Sequence, residues 1–216
     1  MKKVAFFTIF LLLGCVCFAR GQKESINFGV GLPYFIENQT VSGVDVKTEM
    51  ESFAINLSGI NLYNDTTGIG AYINIFFPSK FTLSAMGESA TVDSSAYDFL
   101  QAMDMLIGPV FILYDSEKIT VPLGAGLHIM QLLTTAGSIS TSSYTFGLGA
   151  NISGEYNVSE KVYFFVRLQL TLDFYSTGSA EQYVYYGGYS YKEKVNVSGA
   201  LTTFGINPAI GIGFSW

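Results

Sequence analysis

Between Val162 and Phe174 every even-numbered residue is apolar: Val162, Phe164, Val166, Leu168, Leu170, Leu172 and Phe174. The odd positions include Arg167, Gln169, Thr171 and Asp173. A period of two is the signature of a strand whose successive side chains point to opposite faces. Such unbroken alternation runs well past the five or six residues of an ordinary globular strand. Tyr144 to Tyr156 repeats it, with Tyr144, Phe146, Leu148, Ala150 and Ile152 on one face. Thr145, Gly147, Gly149, Asn151, Ser153 and Glu155 occupy the other. Ile26–Leu32 and Ile119–Gln131 behave alike, the latter with His128 on its polar face.

The second face decides the architecture. A soluble sandwich buries its apolar face against another sheet and turns charge outward. Here the second face is small and polar, as a crowded barrel interior requires. Composition agrees: 49% of residues are hydrophobic and only 13% charged, against about 25% charged in soluble domains. Mean hydropathy is +0.35, yet no stretch supplies the roughly 20 apolar residues of a spanning helix. The expected fold is all-β, a transmembrane antiparallel up-and-down barrel, greasy outside and polar inside. A formal charge of -6 and a pI near 4.7 exclude the basic footprint of a nucleic-acid-binding domain.

Residues 1–19 read as a secretory signal peptide: a basic Met1-Lys2-Lys3, an apolar core from Val4 to Leu13, and Cys17-Phe18-Ala19 as the cleavage site. The barrel then spans 20–216. Both cysteines, Cys15 and Cys17, fall in this leader, which removes disulfides and cysteine chemistry from the mature chain. Leu12-Leu13-Gly14-Cys15 also resembles a lipobox, a second reading in which Cys15 is lipidated.

Three short turns are expected where Ser-Lys or Ser-Glu-Lys is followed at once by an apolar strand start: Pro78-Ser79-Lys80-Phe81, Asp115-Ser116-Glu117-Lys118-Ile119 and Val158-Ser159-Glu160-Lys161-Val162. Longer linkers lie near 38–67, 93–102, 134–142 and 177–194. Alternating short and long connections match short periplasmic turns and long external loops. Eight strands are expected at 25–37, 68–77, 80–91, 103–114, 118–133, 143–156, 161–176 and 195–216. An even count places 51–62 in an external hairpin or a strand extension. Leu106 to Leu113 is apolar on both faces and contains Pro109, so the pattern selects no inward face there.

At the C-terminus Phe204, Ile206, Ile210, Ile212, Phe214 and Trp216 alternate with Gly205, Asn207, Ala209, Gly211, Gly213 and Ser215. This resembles the terminal assembly signal of bacterial outer-membrane proteins, carried here by Phe214 and Trp216. With the leader and the loop pattern, the chain resembles small outer-membrane barrels of the OmpX or OmpW type. The resemblance implies the outer membrane as location and its lipid, periplasmic chaperones and the barrel-assembly machinery as partners. It carries over no functional residues. Upstream, Val195, Val197 and Leu201 reverse the parity, which a bulge near Thr202–Thr203 would reset.

An eight-stranded barrel is just wide enough for side chains to fill. Arg167, Gln169, Asp173, Asn151, Glu155 and His128 are expected inside it, as a hydrogen-bonded plug or as part of a narrow polar path. His128 is the single histidine and lies mid-strand, away from the rim where a hydrolase would need it. Asp45, Glu49 and Glu51 lack the ligand spacing of a calcium loop, so neither metal nor cofactor is expected. Tyr183, Tyr185, Tyr186, Tyr189 and Tyr191 flank Gly187-Gly188, a hairpin-turn dipeptide, and form the candidate surface-contact loop. The expected function is structural or surface-interacting and non-enzymatic, with an external ligand or host protein as the partner. A conduit for small hydrophobic or polar solutes is the second reading, a lipid-modifying enzyme the third.

Overall fold

In the computed structural model, which describes residues 23–41, 43–186 and 189–216, ten antiparallel strands follow one another. They are β1 (Lys23–Gly31), β2 (Tyr34–Val41), β3 (Val44–Leu62), β4 (Thr67–Ala85), β5 (Glu88–Asp93), β6 (Phe99–Asp115), β7 (Ile119–Ala136), β8 (Ile139–Asn157), β9 (Val162–Tyr186) and β10 (Tyr189–Ser215). The leader reading of 1–19 and lipidation at Cys15 lie outside the described residues.

The strands close into a ring of eight positions. β3, β4 and β6 to β10 hold one each, and β1 and β2 share the eighth. β1 pairs with the lower parts of β3 and β10, β2 with their upper parts. Leu32 and Pro33 separate them, Pro33 having no N–H to give to a ladder. Among the described residues β5 pairs with β4 alone.

The expected barrel and strand number hold, but not the parse of the first half. The segment 51–62 is no external hairpin: it is the lower part of β3, paired along its length with β4. Pro78-Ser79-Lys80-Phe81 is no turn either, because it lies inside β4. Ser52 sits opposite Pro78 and Glu51 opposite Lys80, leaving Ser79 as the extra residue of a bulge. A bulge is where a sheet tolerates proline, so a sequence that reads as a break continues as one strand. The first short turn is instead Tyr63–Thr66, where Asn64 Oδ1 accepts from the N–H groups of Thr66 and Thr67. The turns after Asp115 and Asn157 stand where the sequence places them. The stretches 38–67 and 177–194 are not loops but mostly strand, as hairpins that prolong the barrel wall.

Along β9 the even residues from Phe164 to Phe174 are exposed and the odd residues from Tyr163 to Asp173 buried. At ~3.3 Å per residue and a tilt of ~40°, this stripe rises roughly 25 Å, the height of an outer-membrane apolar band. Phe28, Val30, Leu127, Leu148 and Ile210 extend it around the wall. On β6 the even residues Ala102, Asp104, Leu106 and Val110 point inward and Pro109 outward. The register of β10 against β9 slips between Ala200 and Thr203, which turns Leu201, Thr203 and the following odd residues inward. β10 closes the ring on β1, with Phe214 opposite Ile26. Trp216 Nε1 donates to Glu24 Oε2 at 3.1 Å.

Candidate functional site: the barrel interior

All six residues expected in the lumen are buried there: Arg167, Gln169 and Asp173 from β9, Asn151 and Glu155 from β8, and His128 from β7. The structure joins three of them to others that the strand pattern does not single out. His128 Nδ1 lies 2.7 Å from Asp173 Oδ1, and its Nε2 3.2 Å from Asp104 Oδ2 on β6. Thr145 Oγ1 donates to Asp173 Oδ2 at 2.6 Å. Gln169 Nε2 donates to Asp104 Oδ2 at 3.1 Å, and Asn74 Nδ2 donates to Asp104 Oδ1 and to Gln169 Oε1. Asn56 Nδ2 donates to Asn74 Oδ1. One polar layer thus links β3, β4, β6, β7, β8 and β9.

A glycine makes this layer possible. His128 pairs with Gly147, and Gly147 with Asp173, so the two side chains meet over the strand between them. A Cβ on Gly147 would stand 2.5 Å from Asp173 Oδ1 and 2.1 Å from the Leu172 carbonyl oxygen.

A second layer surrounds Arg167. Its guanidinium carbon sits 4.8 Å from the Tyr72 ring centroid and 4.7 Å from that of Phe165, an arrangement in which aromatic faces attract a desolvated cation. Nε and Nη2 have no hydrogen-bond partner among the described residues. Nearer the mouth, Tyr163 Oη donates to Asn27 Oδ1 at 2.6 Å, and Asn27 Nδ2 donates to Ser58 Oγ. A cavity of about 570 Å³ opens at this end, with Lys23, Glu155 and Tyr163 on its wall. Toward the other end Phe35, Met50, Phe76 and Met130 form an apolar plug, with the Phe35 and Phe76 rings edge to face at 5.1 Å. Between this cavity and the plug, side chains fill the interior layer by layer.

Asp104 had a legible signal, a lone acid among Ala102, Met103, Met105 and Leu106. Asn56 has none, because the pattern leaves 51–62 as an external hairpin or a strand extension. Nor could the sequence order the pairs, since which side chains share a layer depends on strand stagger.

Beyond the band the β9–β10 hairpin continues, with residues 191–200 exposed throughout. Tyr183 and Tyr191 are exposed. Tyr185, Tyr186 and Tyr189 lie in its paired backbone, Tyr185 opposite Ser190 and Tyr186 opposite Tyr189, and their side chains lie outside the described residues. Glu181 pairs with Lys192 at 2.7 Å and Lys194 at 3.5 Å. The hydrogen bond from Lys192 holds the Glu181 carboxyl below its ordinary range and raises the Lys192 ammonium. Glu49 and Glu51 likewise pair with Lys47 and Lys80. Among the described residues no acidic cluster converges on a metal position.

No protein-family model and no curated protein matches the chain. Solved structures do. The outer membrane protein OprG from Pseudomonas aeruginosa superposes with a TM-score of 0.60 at 9% identity, covering 91% of this chain and 97% of its own. Neisserial surface protein A gives 0.52 at 11% identity, covering 88% and 96%. The outer membrane protease OmpT from Escherichia coli gives 0.50 at 8% identity, covering 90% and 97%. The fold of this chain is that of the small outer-membrane β-barrels.

Proposed function

We propose that this chain is an integral outer-membrane barrel with a closed interior, whose role is exercised at the cell surface by its long hairpins. The observation that carries this reading is a contrast between the two halves of the molecule. Inside the apolar band, Tyr72, Phe76, Leu106, His128, Phe165 and Gln169 are sealed and interlocked across the lumen. Outside it, the β9–β10 hairpin presents Tyr183, Tyr191, Val195 and Val197 to solvent. A wall that much longer than the membrane is thick has no role in spanning it. Exposed tyrosines offer rigid contact area at low entropic cost, and loops on a rigid scaffold are where recognition resides.

The end that carries Lys23, Trp216 and the short turns is the periplasmic one, by the connection rule of such barrels. His128 is sealed, with carboxylates at both ring nitrogens, which suits neither a surface hydrolase nor a transferase. The apolar plug and the packed Arg167 layer argue against a conduit. Protease added to intact cells should cut within 175–200 and leave the barrel in the outer-membrane fraction. Purified protein in planar bilayers should show no steady current. Uncut hairpins on intact cells would overturn the surface role, and a steady single-channel current would favour the conduit.

A further inference from the structure

We infer that Asp104, His128 and Asp173 form a buried proton-holding site, in which His128 carries a proton on each ring nitrogen and locks β6, β7 and β9 together across the lumen. Nδ1 makes a close hydrogen-bond contact with Asp173, and Nε2 lies at ion-pair distance from Asp104. The three side chains are sealed from solvent. A neutral imidazole offers one N–H and one lone pair, so at one of these contacts an unprotonated nitrogen would lie within 3.2 Å of a carboxylate oxygen. A proton on each nitrogen makes both contacts attractive.

The charge balance leads to the same state. Without a ring proton the layer holds two carboxylates and no cation in a dry interior, a costly arrangement. With it, one net negative charge remains, and neutral donors disperse it: Thr145 on Asp173, Asn74 and Gln169 on Asp104. The groups facing the layer from other strands do not replace the proton. Asn56 of β3 and Thr203 of β10 are neutral, and Glu37 of β2 is a carboxyl that brings no positive charge. Arg167 is held between two rings in its own layer. Removing the imidazole should therefore strand two carboxylates in the layer and loosen β6, β7 and β9, while the apolar plug and the Arg167 layer keep the lumen closed.

Because His128 is the chain's one histidine, histidine-selective nitrogen-15 labelling reports this site alone. In refolded mature protein at about pH 7.5, above the usual histidine value of ~6.5, both ring nitrogens should show one-bond coupling to a proton. In the Asp104→Asn/Asp173→Asn variant one nitrogen should lose it. An unprotonated nitrogen in the parent, or a doubly protonated ring in the variant, overturns the inference. In urea titrations in lipid vesicles, the folding equilibrium constant of His128→Ala should fall at least tenfold below that of the parent. Adding Asp104→Asn and Asp173→Asn should recover part of the loss, and a His128→Ala barrel as stable as the parent refutes the lock. Where His128→Ala does not fold, the spectra of the parent decide. Neither readout involves the hairpins, so failure here leaves the surface role standing.

Discussion

His128 and Asp173 belong to strands that do not pair with each other, yet their side chains meet at 2.7 Å because the residue between them, Gly147 of β8, has no side chain. Gly147→Ala should destabilise the barrel by about 1–3 kcal/mol, the usual cost of overpacking. Gly154, with open space around its Cβ position, is the control on the same strand. Urea titration of both alanine variants in lipid vesicles checks this, and an unperturbed Gly147→Ala barrel would refute the packing argument.

Arg167 supplies a second test of the interior. Arg167→Met keeps much of the side-chain volume and removes the charge between Tyr72 and Phe165. The loss should be about 2 kcal/mol, the scale of a desolvated cation–aromatic contact. Arg167→Lys should recover only part of it, since a compact ammonium cannot stack as a planar guanidinium does. The same folding titration reads both.

Cysteine scanning tests the membrane face without background, because Cys15 and Cys17 are the chain's only cysteines and both lie in the expected leader. From Val162 to Phe174 a lipid-soluble thiol reagent should label even positions and spare odd ones. A period of 3.6 residues would contradict the barrel.

Deleting Phe214-Ser215-Trp216 removes the last pairs of β10 with β1 and the bond from Trp216 to Glu24. The ring then cannot close fully. The shortened chain should be degraded in the periplasm, and wild-type levels in outer-membrane fractions would count against an assembly role for Phe214 and Trp216.

The hairpin should respond to pH from both sides. Glu181 has its carboxyl lowered by Lys192, so its contribution is present above the ordinary glutamate range and lost as pH falls through the lowered value. Lys192 is raised, so its contribution is complete below the ordinary lysine value and lost as pH climbs through the raised one. Protection of the amides of residues 180–183, measured against their intrinsic exchange rates at each pH, should be greatest between these limits and fall at both ends. Replacing Tyr185, Tyr186, Tyr189 and Tyr191 by Ser should leave heat-modifiable gel migration unchanged while weakening whole-cell binding. Unchanged binding would assign the tyrosines to cover alone.

The sequence by itself determined the fold class, the inward face of β7, β8 and β9, and the burial of Arg167, Gln169, Asp173, Asn151, Glu155 and His128. Each follows from parity, since a period of two assigns every residue of a strand to one side once the apolar side is known. Parity fails where the backbone irregularity is itself the information. Pro78 reads as a break but sits paired beside a bulge at Ser79, so the pattern splits β4 in two and gives the lower part of β3 no ring position of its own. Parity is equally silent about height. Whether Asp104 of β6 stands level with His128 of β7 depends on strand stagger, which is fixed only when all eight positions close on one another. The tertiary structure therefore decided what the interior residues do together: two carboxylates on one histidine, a guanidinium between two rings, and a glycine that lets a layer form across a strand.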